Sequence, residues 1–343
     1  MKGKMLATLA AAFLLGLLAL PASADQYSRA VPGALNYVEG QASMGTQTLS
    51  QQSVGSAILQ PNEALTTTPG GKAEILLTPG VFLRVGGNSA VRMISPGLAN
   101  TEVEVQRGEA QVEVDHLYKQ NDLQVLEDGA TIQMEKKGVY DFNADQRAVR
   151  VLDGEAKLRE GDTAVTIKGG HEVLLDGGAL KSQKFDKNNF TAGNELYRWS
   201  SLRSAYLAQA NADAARTYIV NGGYGPGWFG SGWYWDPWFS AYTFIPGDGF
   251  LYSPFGWGFY SPLWAYRAPF VYGGYYRNFG PGYTGWGARP YYGPWNRGGP
   301  VAHGWGPAFP QGGVHAGGGW SGAHGGWGGA ARGAGGHGGW GRR

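Results

Sequence analysis

The sequence predicts an all-β fold, a sandwich or rolled β-helix-like domain of short strands, followed by one amphipathic α-helix and a Gly/aromatic-rich, largely irregular C-terminal tail. Three observations predict it. Between residues 33 and 180 apolar and polar residues alternate with period two, which places one set of side chains on one face of a strand. Turn dipeptides such as Pro61-Asn62, Pro69-Gly70, Pro79-Gly80 and Asp128-Gly129 punctuate that region at short intervals, the rhythm of closely spaced strands. Only residues 186–220 carry apolar side chains at threes and fours, and beyond them the composition changes to glycine and aromatics.

Residues 1–24 read as a secretory signal peptide. Lys2 and Lys4 precede an apolar stretch from Met5 to Leu20, shorter than the roughly 20 residues a bilayer span needs, and Pro21 leads into the cleavage site Ala22-Ser23-Ala24. No second apolar run approaches that length. The mature chain, from about Asp25, is therefore expected in the periplasm, at the cell surface or secreted, with no transmembrane segment after cleavage. The chain has no cysteine, which excludes a disulfide framework, a lipid-modified cysteine, thiolate metal sites and covalently attached c-type haem. Stability must come from packing, and the residues before Asn221 suffice for one sizeable core.

The β region opens with Ala34-Leu-Asn-Tyr-Val-Glu-Gly-Gln-Ala and centres on Val103 to Leu158. There a unit recurs: Val103 and Val105, then Gly108-Glu109-Ala110, then Val112 and Val114; later Val149 and Val151, then Gly154-Glu155-Ala156, then Leu158. Asp153-Gly154 supplies the positive φ angles of a tight hairpin, and Arg107-Gly108 holds the matching place in the first copy, so a hairpin is expected at both. Glu39-Gly40-Gln41-Ala42 is a looser third version, but the unequal spacing of Gly40, Gly108 and Gly154 excludes a strict solenoid. Further strands are expected at 123–126, 131–134, 139–142, 164–167 and 172–175.

The phrases Gly71-Lys-Ala-Glu-Ile-Leu-Leu, Val81-Phe-Leu-Arg-Val-Gly-Gly-Asn-Ser, Val105-Gln-Arg-Gly-Glu-Ala, Val149-Arg-Val-Leu-Asp-Gly-Glu-Ala and Lys168-Gly-Gly-His-Glu-Val-Leu-Leu resemble, in wording and order, the periplasmic domain of FecR-type proteins. The resemblance spans about Gly33 to Gly178. It implies an extracytoplasmic β module. In the best-known members that module follows a membrane helix and a cytoplasmic segment controlling a sigma factor. Here only Met1 to Lys4 precede the apolar stretch, so any regulatory role is expected to run through a separate transmembrane partner.

In the helical segment Leu196, Trp199, Leu202, Tyr206, Ala210 and Ala214 form a stripe, Asn194 is positioned to cap the start, and Asn221-Gly222-Gly223 follows the end. The stripe is expected to pack on the β body; docking of a partner is the alternative. Twelve of the 13 tryptophans lie beyond it. In residues 221–270, Pro246-Gly247-Asp248-Gly249 between two aromatic runs predicts a hairpin turn. Residues 271–343, glycine with Trp, Tyr, Arg and His and no periodicity, are expected to be disordered. From Gly222 onward seven arginines face only Asp236 and Asp248, so an acidic body carries a basic tail.

No residue set points to catalysis, a cofactor or a metal. Asp115-His116 resembles half of an acid–base pair but lacks a nucleophile motif and reads as a polar loop. His171 reads as a loop residue, and His303, His315, His324 and His337 are too widely spaced for a fixed metal geometry. The candidate contacts for a ligand or partner are Trp233, Tyr234, Trp235, Trp238, Tyr252 and Trp257, whose flat rings suit sugar stacking, membrane interfaces or aromatic packing. Arg-Gly-aromatic text also occurs in single-strand RNA-binding tails, but the leader argues against a nucleic-acid partner. The expected function is a non-enzymatic extracytoplasmic binding or scaffold module of the bacterial cell envelope. Its expected partner is an envelope protein or polysaccharide, with peripheral membrane contact as an addition. The alternative is a regulatory accessory protein of a sigma-factor pathway.

Overall fold

The structure is a computed structural model that describes residues 30–220 and 230–268, and the backbone of two short strands at 270–272 and 275–277. The signal peptide, the residues from 278 onward and the tail histidines lie outside the described residues.

The first nine strands are β1 (Leu35–Glu39), β2 (Ala42–Met44), β3 (Gln47–Thr48), β4 (Ala64–Thr67), β5 (Lys72–Leu76), β6 (Val81–Val85), β7 (Ala90–Pro96), β8 (Asn100–Arg107) and β9 (Glu109–Val114). The next eight are β10 (Asp122–Glu127), β11 (Ala130–Met134), β12 (Gly138–Asn143), β13 (Ala148–Asp153), β14 (Glu155–Glu160), β15 (Thr163–Lys168), β16 (His171–Leu174) and β17 (Gln183–Lys184). They form two sheets. One has eight strands in the order β1-β5-β6-β9-β12-β13-β16-β17, the other nine in the order β15-β14-β11-β10-β8-β7-β4-β2-β3. All pairs are antiparallel except β8 with β10. The inner faces meet in one apolar core, with Ile75, Leu83, Val112 and Phe142 from the first sheet against Met93, Val103, Val125 and Leu158 from the second. This is a β sandwich, the first of the two expected architectures, and the expected strands fall inside β10, β11, β12 and β15, with that at 172–175 starting in β16.

The repeated Gly-Glu-Ala step is not a hairpin. β8 belongs to the nine-stranded sheet and β9 to the eight-stranded one, and β13 and β14 are divided in the same way. Gly108 (φ +72°) and Gly154 (φ +99°) are corners at which the chain leaves one sheet for the other. A Cβ at Gly154 would lie 2.4 Å from the Tyr140 hydroxyl, and one at Gly108 would lie 2.3 Å from Ser89 Oγ. The looser phrase at Gly40 joins β1 to β2 and crosses between the same two sheets. A single positive-φ residue reverses the chain's course equally well in a hairpin or a corner; what separates them is the partner each flanking strand finds. By contrast, Asp128-Gly129 does close a hairpin, β10 with β11, with φ of +50° and +84°.

Two helices follow, α1 (Lys187–Gly193) and α2 (Glu195–Val220). Asp186 caps α1 by accepting from the Asn189 N–H at 3.0 Å, and Asn194 Oδ1 accepts from the Tyr197 N–H at 2.6 Å at the start of α2. α2 lies on the outer face of the eight-stranded sheet and meets it with part of the expected stripe: Ala210 is buried and the Trp199 ring packs on Tyr37 at 6.1 Å. Leu196 is buried, whereas Leu202 is 68% exposed and Tyr206 36% exposed; the covered side is Ser200, Arg203, Ser204, Leu207, Asn211 and Ala215. The sheet face beneath is polar at Glu74, Arg84 and Glu113 and apolar at Leu76 and Phe82, so the helix brings donors to the first set and Leu207 and Ala208 to the second. A hydrophobic stripe cannot report that requirement.

The aromatic segment forms the hairpins β18–β19 (Gly232–Asp236 with Ala241–Ile245) and β20–β21 (Phe250–Tyr252 with Gly258–Tyr260). The short strands β22 (Phe270–Tyr272) and β23 (Tyr275–Arg277) also pair. Pro246-Gly247-Asp248-Gly249 therefore links two hairpins instead of closing one; the turns are 237–240 and 253–257. The reason lies in the partners: β19 takes its outer hydrogen bonds from buried asparagines, leaving nothing for β20. The Asn36 amide donates to the Tyr242 carbonyl (2.9 Å) and its Oδ1 accepts from the Tyr242 N–H (2.7 Å). Asn211 donates to the carbonyls of Phe244 (2.9 Å) and Tyr260 (3.0 Å) and accepts from the Tyr260 N–H (2.7 Å). Residues 232–260 are thus ordered and joined to the body, and they bury Leu76 and Phe82 beneath Tyr242, Phe244 and Phe259.

Candidate functional site: a sealed charge layer and an aromatic rim

Strand alternation sends Glu74, Arg84 and Glu113 to the outer face of the eight-stranded sheet, and register sets Glu74 opposite Arg84. All three are at most 1% exposed. Arg84 Nε donates to Glu74 Oε2 at 2.8 Å and its other branch donates to Glu113; from α2, Arg203 donates to Glu74 Oε1 at 2.8 Å and the Ser204 hydroxyl donates to Glu113 Oε1 at 2.6 Å. Asn36 adds a bond to Glu74 at 3.0 Å. Burial pushes the Glu74 carboxyl up, but Arg203 and Arg84 outweigh it and hold the group below the usual carboxylate range. Burial likewise works against the charge on Arg84, and Glu113 and Glu74 reverse it. Buried charges persist only when paired and hydrogen-bonded in this way.

At the end of this layer Asp115 is 1% exposed, and both of its carboxylate oxygens are buried. Burial first, and then the Glu113 charge, raise the Asp115 carboxyl well above the usual carboxylate range. His116 beside it is kept below its ordinary range by burial and packs edge-on to Tyr118, with centroids 4.3 Å apart. The dipeptide read as a polar loop thus forms the wall of an open cleft of about 550 Å³, completed by Tyr118, Lys119, Lys136, Lys137 and Leu251. A second acid layer lies farther along the sheet: Arg150 binds Glu172 (3.0 Å) and Asp141 (3.3 Å) under the Phe190 ring of α1. Sequence reasoning missed both layers. The available signal was a pair of opposite charges at facing positions of adjacent strands, Glu74 in Lys-Ala-Glu-Ile-Leu and Arg84 in Val-Phe-Leu-Arg-Val.

The six aromatic candidates divide. Trp233 lies edge-on to Phe82 (4.9 Å), Trp235 to Tyr242 (5.0 Å) and Tyr234 to Tyr218 (5.6 Å), so this strand faces the body. The other three are exposed, Trp238 on the turn of the first hairpin and Tyr252 and Trp257 on the second. Trp238 is 78% exposed, Tyr252 44% and Trp257 41%. Trp238 sits on a turn fixed by Asp236, whose Oδ1 accepts from the N–H groups of Trp238 (2.9 Å) and Phe239 (3.0 Å). Among the described residues no three His, Asp or Glu side chains converge on a metal-sized centre. His171 meets only the Gly169 carbonyl at 3.3 Å.

The two sheets define a β-sandwich module whose recurring phrases are strands and corners. Residues 63–164 match the family model described as FecR protein. The match begins at β4 and ends within β15, so β1, β16 and β17 of the eight-stranded sheet, and everything that covers its outer face, lie beyond it. Two crystal structures of a candidate anti-sigma factor from Parabacteroides distasonis ATCC 8503 are similar to this chain at 18% and 17% identity, each with a TM-score of 0.33. The similarity covers 38% of this chain and 62% and 63% of theirs, less than two thirds of their length. No curated protein matches.

Proposed function

We propose that the protein is a non-enzymatic, extracytoplasmic FecR-like binding module of the bacterial cell envelope that presents its aromatic rim to an envelope protein or polysaccharide. The observation that carries this reading is Trp238, 78% exposed on a turn whose backbone is fixed by Asp236. An ordered, exposed tryptophan is the kind of anchor that dominates recognition surfaces. Tyr252 and Trp257 extend the rim on the next hairpin. A regulatory role, acting through a separate transmembrane partner, is the second reading and is favoured by the FecR match over residues 63–164. No helix among the described residues is long and apolar enough to cross a membrane.

The test is co-sedimentation of the full chain with isolated peptidoglycan, outer-membrane vesicles and surface polysaccharide. The wild type is expected to pellet with one fraction, and Trp238→Ala or Trp257→Ala to weaken pelleting at least tenfold while leaving the unfolding midpoint in place. A wild-type protein that stays in every supernatant removes the reading and leaves the regulatory one.

A further inference from the structure

The cleft and the aromatic rim meet at β20. Leu251 points inward and lines the cleft, while its neighbours Phe250 and Tyr252, 45% and 44% exposed, point outward. Phe250 heads a strip of rings: Tyr252 at 5.6 Å, Tyr260 stacked at 6.0 Å and Trp264 at 5.4 Å. On the cleft side Lys137 Nζ donates to the Tyr252 carbonyl at 2.5 Å, which holds its ammonium at the edge of the strip. Lys119, Lys136 and Lys137 all line the cleft. Lys136 is paired with Glu155 at 3.2 Å, whereas among the described residues neither Lys119 nor Lys137 is in a salt bridge, although the Lys137 charge acts on Asp115. The acids on the same wall are the exposed Glu135 and the buried Asp115. The cleft thus carries three lysines against one exposed acid, Glu135, and is lined by the edge-packed rings of His116 and Tyr118.

We infer that this surface binds an acidic polysaccharide, with sugar rings laid on the Phe250–Tyr252–Tyr260–Trp264 strip and a carboxylate held in the cleft by Lys119 and Lys137. Rings with an apolar face and a polar edge stack on flat, amphipathic ligands. Lysine binds an anion as a point charge, which suits a carboxylate presented at variable angles along a polymer. The inference rests on the binding-module reading and narrows it to one ligand chemistry.

The experiment is calorimetric titration of the full chain with an oligogalacturonate, a neutral cello-oligosaccharide of the same length, and polyglutamate. The oligogalacturonate is expected to bind at least tenfold tighter than either of the others. Lys119→Gln with Lys137→Gln should erase that preference, and Phe250→Ala should weaken both saccharides. The two lysines are exposed, so their variants should fold; an unchanged unfolding midpoint checks this. Equal affinity for the acidic and neutral saccharides, or oligogalacturonate binding indifferent to the lysine variants, overturns the carboxylate role of the cleft. Polyglutamate binding as tightly as oligogalacturonate overturns the saccharide assignment in favour of an acidic protein. Failure to bind any of the three, while Trp238-dependent co-sedimentation persists, overturns this inference and leaves the broader reading standing.

Discussion

On its inner face the eight-stranded sheet presents Ile75, Leu83, Val112 and Phe142 to the second sheet; on its outer face the same strands present Glu74, Arg84, Glu113 and Asp141. Both sets are almost completely removed from water, yet they are held by different physics. The inner face gains from burial of apolar area, is non-directional and tolerates rearrangement if volume is kept. The outer face is tolerable only because each charge has a partner at hydrogen-bond distance, and those partners come from α2 as well as from the sheet. The inner face needs only a complementary apolar surface, whereas the outer face needs named residues far away in the chain. This contrast makes the helix and the aromatic hairpins part of the fold, although the FecR match stops at residue 164.

The largest expected break is Arg84→Met, which leaves Glu74 and Glu113 buried without their shared cation. A loss of about 3–5 kcal/mol in unfolding free energy is expected by chemical denaturation of the full chain. A loss under about 1 kcal/mol would mean that the outer layer takes up water and is not sealed. In a Glu74→Gln, Arg203→Met double-mutant cycle, a coupling of about 0.5–3 kcal/mol is expected if α2 is bound through that pair. Phe142→Ala, on the inner face, should cost about 3–5 kcal/mol, and Phe82→Ala, beneath Trp233 on the outer face, should fall in the same range. A much smaller value for Phe82 would show the aromatic hairpins to be loosely attached.

A third comparison concerns the corners. Gly154→Ala should cost at least about 2 kcal/mol, because its Cβ would meet Tyr140 Oη at 2.4 Å in addition to the strain of a positive φ. Gly161→Ala, at φ +54° in the β14–β15 turn with nothing within 4 Å of the added atom, should cost about 1 kcal/mol, and equal losses would remove the crowding argument.

The pH dependence tests burial of an acid without a cation. Glu127 is raised to about 8, first by burial and then by Asp128, against an ordinary value of 4.5. The folded state therefore holds the proton longer than the unfolded chain does. Its contribution is fully present below pH 4.5 and is lost as pH rises toward about 8, so stability should fall across that window. Glu127→Gln should flatten this part of a thermal-midpoint profile; an unchanged slope would assign it elsewhere. Asp236, raised to about 6 by burial and by its neighbour Asp213, adds a loss of the same sign between pH 3.8 and 6, at the turn that carries Trp238. The smallest effect is expected from Lys136→Ala, whose ion pair with Glu155 is largely exposed: about 0–1 kcal/mol by denaturation, with little response to salt beyond that.

Much of the architecture was legible in the chain. Alternation places Val103, Val105, Val112, Val149 and Val151 in the core, Asp128-Gly129 closes the expected hairpin, and Asn194 caps the helix that was read from spacing. The candidate site was legible only as composition. The aromatic residues were singled out, but alternation in Gly-Trp-Tyr-Trp-Asp could not tell which of them meet Phe82 and Tyr242 and which, like Trp238, stand free. The cleft was invisible because its lysines, His116 and Leu251 come from three separate stretches and share no motif.

The chain by itself determined its local states: period-two strands, a capped helix, and glycines at the points where the backbone must take a positive φ. These follow from steric and solvation preferences that act within a few residues. Tertiary structure alone decided that Gly108 and Gly154 turn corners between sheets, that Arg203, Ser204 and Asn211 of α2 face inward, and that residues 232–260 lie on the body. Each of these depends on which distant group satisfies a buried charge or a free strand edge. A hydrogen bond from Asn36 to Tyr242 links positions whose sequences carry no mark of each other.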